Sequence, residues 1–108
     1  MRLAFSTNAY LKHPFDQAAE RLASLGYEGL ELLADVPHAW PAGLLEESKQ
    51  AIRATMDRLG LQFSNINAFM MNAVADHRQP YWHPSFIEPD AGYRQVRIDH
   101  TRRALSLC

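Results

Sequence analysis

The chain has 108 residues, which is room for one small domain. Its hydrophobic fraction of 47% and charged fraction of 21% belong to a globular chain rather than a disordered one. A net charge of −1 gives no electrostatic bias toward nucleic acid or an anionic membrane surface.

Leu3, Ala4 and Phe5 form a short apolar run, expected as a fully buried first strand that ends at Ser6-Thr7-Asn8. Pro14 suits a first helical turn, where its missing N–H costs nothing. Phe15, Ala18, Ala19, Leu22 and Leu25 follow at spacings of three and four and predict one apolar helix face, closed by Gly26. A second strand is expected from Tyr27 to Leu33, followed by a loop over 34–43 with two prolines and Trp40. The next helix, about 44–59, carries Leu45, Ile52, Met56 and Leu59 on its apolar face and ends at Gly60. In the third strand Phe63, Asn65 and Asn67 alternate with Ser64 and Ile66, so one face should be polar and amide-rich. A long connection over 68–90 holds Phe69, Tyr81, Trp82 and Phe86. Structureless links beyond roughly 12–15 residues are uncommon unless they serve as lids or binding loops. The last helix starts near Tyr93, with Tyr93, Val96, His100, Ala104 and Leu107 at helical spacing.

Leu25-Gly26 and Leu59-Gly60 thus read as the same helix-to-strand joint used twice, 34 residues apart. Alternating strands and helices imply a parallel sheet. No Gly-x-Gly-x-x-Gly or phosphate-cradling Gly-x-x-x-x-Gly-Lys loop follows the first strand, which counts against a nucleotide-binding doubly wound sheet. A (β/α)8 barrel uses about 250 residues for eight units, roughly 31 each. The expectation is therefore an α/β fold, a partial (β/α)8 TIM barrel comprising the first three β/α units, with residues 1–108 as the N-terminal part of a single domain.

Ala4-Phe5-Ser6-Thr7-Asn8, Leu25-Gly26-Tyr27-Glu28-Gly29-Leu30-Glu31-Leu32 and Ser64-Asn65-Ile66-Asn67 resemble the xylose isomerase-like TIM barrel superfamily, in its sugar phosphate isomerase/epimerase branch. The resemblance extends along the whole chain and corresponds to the first third or so of such a barrel. It implies a divalent-metal enzyme (Mn, Mg, Co or Zn, undistinguished) that moves a proton or hydride beside a sugar carbonyl. In such families the metal ligands come from later strands, so no metal ligand is assigned here, and the chain alone is expected to bind no metal and to be inactive. The implied partner is a small sugar or sugar phosphate.

A barrel's active site lies at the C-terminal ends of its strands. That criterion selects Asn8, Glu31, Asp35, Asn65 and Asn67. Glu31 sits among leucines, where a carboxylate needs partners. It either contacts a substrate hydroxyl or metal-bound water, or pairs with a basic side chain in the core. Asn8 and Asn67 can bond sugar hydroxyls or cap their own loops. Asp35 precedes Val36-Pro37 and suits a turn. Among the histidines, His38 is the candidate for substrate contact; His77 and His83 lack a zinc spacing, and His13 and His100 read as a helix-start and a helix-face residue. Trp40, Tyr81, Trp82 and Phe86 could wall a sugar ring or pack loops onto the rim. Arg94, Arg97, Arg102 and Arg103 read as a solvated helix surface.

Two other functions stay open. One is a non-catalytic truncated or assembly module that self-associates through open sheet edges. The other is a metal-dependent phosphoesterase of the abasic-site nuclease type, which the near-zero charge disfavours. The lone Cys108 forms no internal disulfide, no apolar run reaches the roughly 20 residues of a membrane span, and the start shows no signal-peptide pattern. A cytoplasmic protein with no nucleic-acid or membrane partner is expected.

Overall fold

In the computed structural model, which describes residues 1–70 and 83–108, three strands and three α-helices alternate along the chain. They are β1 (Ala4–Ser6), α1 (Phe15–Ser24), β2 (Gly29–Leu33), α2 (Glu46–Leu59), β3 (Gln62–Asn67) and α3 (Ala91–Leu105), with a 3-10 turn, Thr7–Tyr10, after β1. The strands form one parallel sheet in the order β1-β2-β3. No helix among the described residues is long and apolar enough to cross a membrane.

The two Leu-Gly joints are alike down to their hydrogen bonds. At the first, Gly26 N–H donates to Ala23 O at 3.0 Å and Tyr27 N–H to Leu22 O at 3.2 Å. At the second, Gly60 N–H donates to Asp57 O at 3.2 Å and Leu61 N–H to Met56 O at 3.0 Å. Both glycines are left-handed, with φ of 87° and 65°, a conformation that a Cβ would strain. Each joint satisfies two otherwise orphaned carbonyls and turns the chain straight into the next strand. Gly29 serves a different need. A Cβ there would lie 2.9 Å from the Gln62 carbonyl, so β2 and β3 can approach only because that side chain is absent.

The core lies between the sheet and α1 and α2. Phe15, Ala19 and Leu22 of α1 and Ile52 and Met56 of α2 pack on Leu30 and Leu32 of β2, with Leu61 closing the end. Several apolar residues fall outside this core. Leu25 and Leu45 are exposed, because each is a cap rather than part of a helix face. Pro14 likewise caps α1 instead of opening its first turn. The first strand is an edge strand and not a buried one: Leu3 is exposed and Phe5 is 42% exposed, resting one side of its ring on Tyr27 at 5.3 Å.

β3 departs from simple alternation. Leu30 pairs with Phe63, but Glu31 pairs with Asn65, so Ser64 is an extra residue in a bulge. The bulge puts Phe63 on the helix side, lining a cleft with Ile52 and Arg53, while Asn65 comes level with Glu31. Phe63 and Asn65 therefore do not share a face.

α3 buries Arg97, His100 and Ala104. Val96, expected on its inner face, is exposed, and Arg97 takes that place. Asp90 caps the helix, its side chain accepting from Tyr93 N–H at 2.6 Å. His77, Tyr81 and Trp82 lie outside the described residues.

Candidate functional site

Glu31 occupies the middle of the central strand, with Leu30 and Leu32 on either side turned into the helix-covered core. Period-two alternation sends Glu31 to the opposite face. In register it lies beside Ser6 of β1 and Asn65 of β3. Asn65 Nδ2 donates to one carboxylate oxygen at 2.8 Å and Asn67 Nδ2 to the other at 3.1 Å. The carboxylate is thus paired with two amides from the neighbouring strand, not with a basic side chain. The bulge at Ser64 sets this geometry by bringing Asn65 alongside Glu31.

The Asn67 amide is itself held. Asn67 Oδ1 accepts from Phe69 N–H at 3.2 Å, which fixes which end of the amide faces Glu31. Each carboxylate oxygen has lone-pair capacity beyond its single amide bond. The cluster presents acceptors and carries net negative charge. It is suited to hydroxyl or ammonium donors and unsuited to a phosphate.

The other predicted residues lie elsewhere on the rim. Asn8 follows β1, donating its backbone N–H to Ser6 Oγ at 3.2 Å, and its buried Oδ1 has no partner among the described residues. Its neighbour Thr7 is buried and accepts from Leu33 N–H at 3.0 Å, tying β1 to β2. Asp35 is buried after β2. Its Oδ1 accepts from Val36 N–H at 2.8 Å and its carbonyl from His38 and Ala39 N–H, so it does shape the turn. Its charge also acts on Arg97 and His100.

His38 faces the helix layer, not Glu31. Its ring meets Phe15 edge-on, and Nε2 donates to the His13 carbonyl at 3.0 Å. Burial pushes its pKa below the ordinary histidine value, against the smaller opposing effect of the backbone carbonyls of His13 and Tyr10. His83 Nδ1 pairs with Glu88 at 2.5 Å, while the His13 ring lies at the surface beside Gln17.

The burial of Arg97 on α3 is not what the sequence predicts, since it reads there as part of a solvated surface. Arg97 Nε donates to Pro84 O and Nη1 to Ala68 O, each at 2.8 Å, with its guanidinium 5.9 Å from the Phe86 ring centroid. His100 stacks on Trp40 at 4.9 Å and 18°. Trp40 is therefore engaged in packing, whatever its free edge does. The helical spacing places His100 and Ala104 on the inner face but leaves out Arg97, whose charge reads as solvated. Arg102 and Arg103 are exposed, as expected.

Among the described residues no group of three or more His, Cys, Asp or Glu side chains could hold a metal ion. Glu31 stands as a single carboxylate already engaged by two amides, and the described residues around it do not fit a resident metal. No protein-family model matches the chain, and no curated protein does.

Proposed function

We propose that this chain supplies the sugar-binding part of a sugar or sugar phosphate isomerase/epimerase, built on the first three units of a (β/α)8 barrel. The observation that carries the reading is the Glu31 carboxylate held between Asn65 and Asn67 on the sheet face opposite α1 and α2. In a barrel that face is the interior. A carboxylate with fixed, partly filled acceptors is a hydroxyl-pair receptor: it takes two O–H donors while the amides hold its orientation. The chain's residues bind and orient the sugar's hydroxyl-bearing carbons. The same acceptor character favours a position for any substrate phosphate away from Glu31, and it weighs against the abasic-site phosphoesterase alternative. No metal-dependent step is assigned to these residues.

The test is binding of unphosphorylated aldoses and ketoses to the full chain, followed by ligand-observed NMR. Saturation transfer to the sugar is expected, with affinity falling roughly 10- to 100-fold in Glu31→Ala, since hydrogen bonds to a charged group contribute about 1.5–3 kcal/mol. Sugar binding that is indifferent to Glu31→Ala, or absent for every sugar tried, refutes the reading.

A second reading, self-association, draws on the sheet edges. β1 and β3 are both edge strands, and Phe5 and Phe63 sit at one level of the sheet, each paired with Leu30. They are 42% and 44% exposed. The β1 edge of a second copy set against β3 would continue the parallel sheet and bring these rings together. Light scattering is expected to show a concentration-dependent dimer that Phe63→Lys abolishes; a monomer at high concentration excludes it.

A further inference from the structure

The loop after β2 is fastened at two points by histidine rings. At one end His38, 6% exposed, spans from the loop to the segment before α1, where it meets the His13 carbonyl and the Phe15 ring. At the other, Trp40 of the loop stacks on His100 of α3, which is 3% exposed. Both rings are nearly dry, and each has one buried nitrogen, His38 Nδ1 and His100 Nε2, with no partner among the described residues.

Those orphan nitrogens decide what a proton would do. A carbonyl can only accept, so His38 carries its hydrogen on Nε2 and its lone pair on Nδ1. Protonation puts a second N–H on Nδ1 and a charge in a site with no acceptor at that atom. His100 meets the same problem at Nε2, with an added one, since Arg97 of the same helix is close enough to repel a second cation. The groups that oppose this are few. Asp35 and the Phe69 and Ala68 carbonyls favour a charged His100; the His13 and Tyr10 carbonyls favour a charged His38, and Asp16 of α1 lines the cleft that His38 faces.

We propose that His38 and His100 form a two-proton acid latch, which holds the loop over residues 35–40 onto α1 and α3 while neutral and releases it when both rings are charged. The loop continues directly from β2, the strand that carries Glu31, so release would loosen the rim above that cluster.

The sign follows from linkage. Both rings titrate below the ordinary value of 6.5 in the folded chain, chiefly through burial. Between 6.5 and the folded values the unfolded chain binds more protons, so stability is full above about pH 6.5 and is lost as pH falls through that window. One fully suppressed histidine raises the unfolding constant at most about fivefold between pH 6.5 and 5.5, and two at most about thirtyfold.

Urea unfolding of the full chain across this range should therefore show a rise in the unfolding constant, bounded by that thirtyfold limit. His38→Gln, which keeps a donor for His13, and His100→Phe, which keeps the stack on Trp40, should each reduce the rise below the single-histidine limit, and the pair together should nearly flatten it. If either variant does not fold, nitrogen-15 NMR of the wild-type imidazoles replaces it, with His100 identified by its contact to Trp40 and His38 by its contact to Phe15. Hydrogen-exchange protection factors at 35–40 and in α3, which take out the intrinsic pH dependence of amide exchange, should fall as pH falls over the same range. Full pH dependence in the double variant, rings that titrate at or above 6.5, or protection factors that do not change with pH would each overturn the latch.

Discussion

Leu30→Ala is expected to lower stability by about 3–4 kcal/mol, a large share of the roughly 5–15 kcal/mol of a small domain. Leu30 is fully buried at the centre of the sheet, with Phe5 and Phe63 beside it in register and the α1 and α2 side chains packed over it. Its removal leaves a cavity that two flanking strands and two helices cannot all collapse to fill, so the lost transfer energy and the cavity both count. Phe63→Ala removes more atoms, yet it should cost less than half as much, because that ring is 44% exposed at an edge. Urea midpoints of the two variants at unchanged m-value provide the comparison. A Phe63→Ala cost equal to that of Leu30→Ala would mean that the β3 edge is covered in solution. An unfolded Leu30→Ala chain would be consistent with the larger estimate, and Leu30→Val, at about 1 kcal/mol, would then grade it.

What could be read from the residues alone follows the range over which each feature is determined. The Leu-Gly joints were legible because a left-handed residue after an amphipathic run is a local demand, met by Gly26 and Gly60 within six residues of chain. Glu31 stood out for a similar reason, as a charge inside a leucine run. Its partners did not, because a contact between positions 31 and 65 depends on strand register, and that register includes a bulge at Ser64 that no residue type announces. Phe5 was misplaced on the same grounds: an apolar tripeptide reads as buried, and only the strand order shows that β1 lies at an edge. α3 was the hardest case. Its buried stripe is Arg97, His100 and Ala104; helical spacing points to His100 and Ala104, but to Val96 in the place that Arg97 takes. A polar helix face is buried only when carbonyls elsewhere await it. Those carbonyls belong to Ala68 and Pro84, neither of which carries a sequence signal.

Arg97 provides the second large effect. Replacing it with methionine keeps most of the aliphatic stem and removes the donors, at an expected cost of about 3–5 kcal/mol. Two carbonyls, of Pro84 and Ala68, lose their 2.8 Å donors, and the buried Asp35 carboxylate loses a nearby positive charge. Each loss is worse than a missing attraction, because the group left behind has already given up its water. The guanidinium is suited to this position by its geometry: Nε and Nη1 diverge in a fixed fork and reach carbonyls 16 residues apart in sequence, on either side of the 68–84 connection. Lysine keeps the charge but has a single nitrogen for both, so Arg97→Lys should recover only part of the loss. The burial that lowers the guanidinium pKa, opposed by Asp35, also makes the pair interdependent. Asp35→Asn in the Arg97→Met background should therefore cost less than Asp35→Asn alone, with a coupling of about 1 kcal/mol or more in a double-mutant cycle. Strictly additive costs would show that Arg97 and Asp35 act independently. An Arg97→Met cost under about 1 kcal/mol would show that α3 docks without the arginine, leaving the Trp40–His100 stack as its principal anchor.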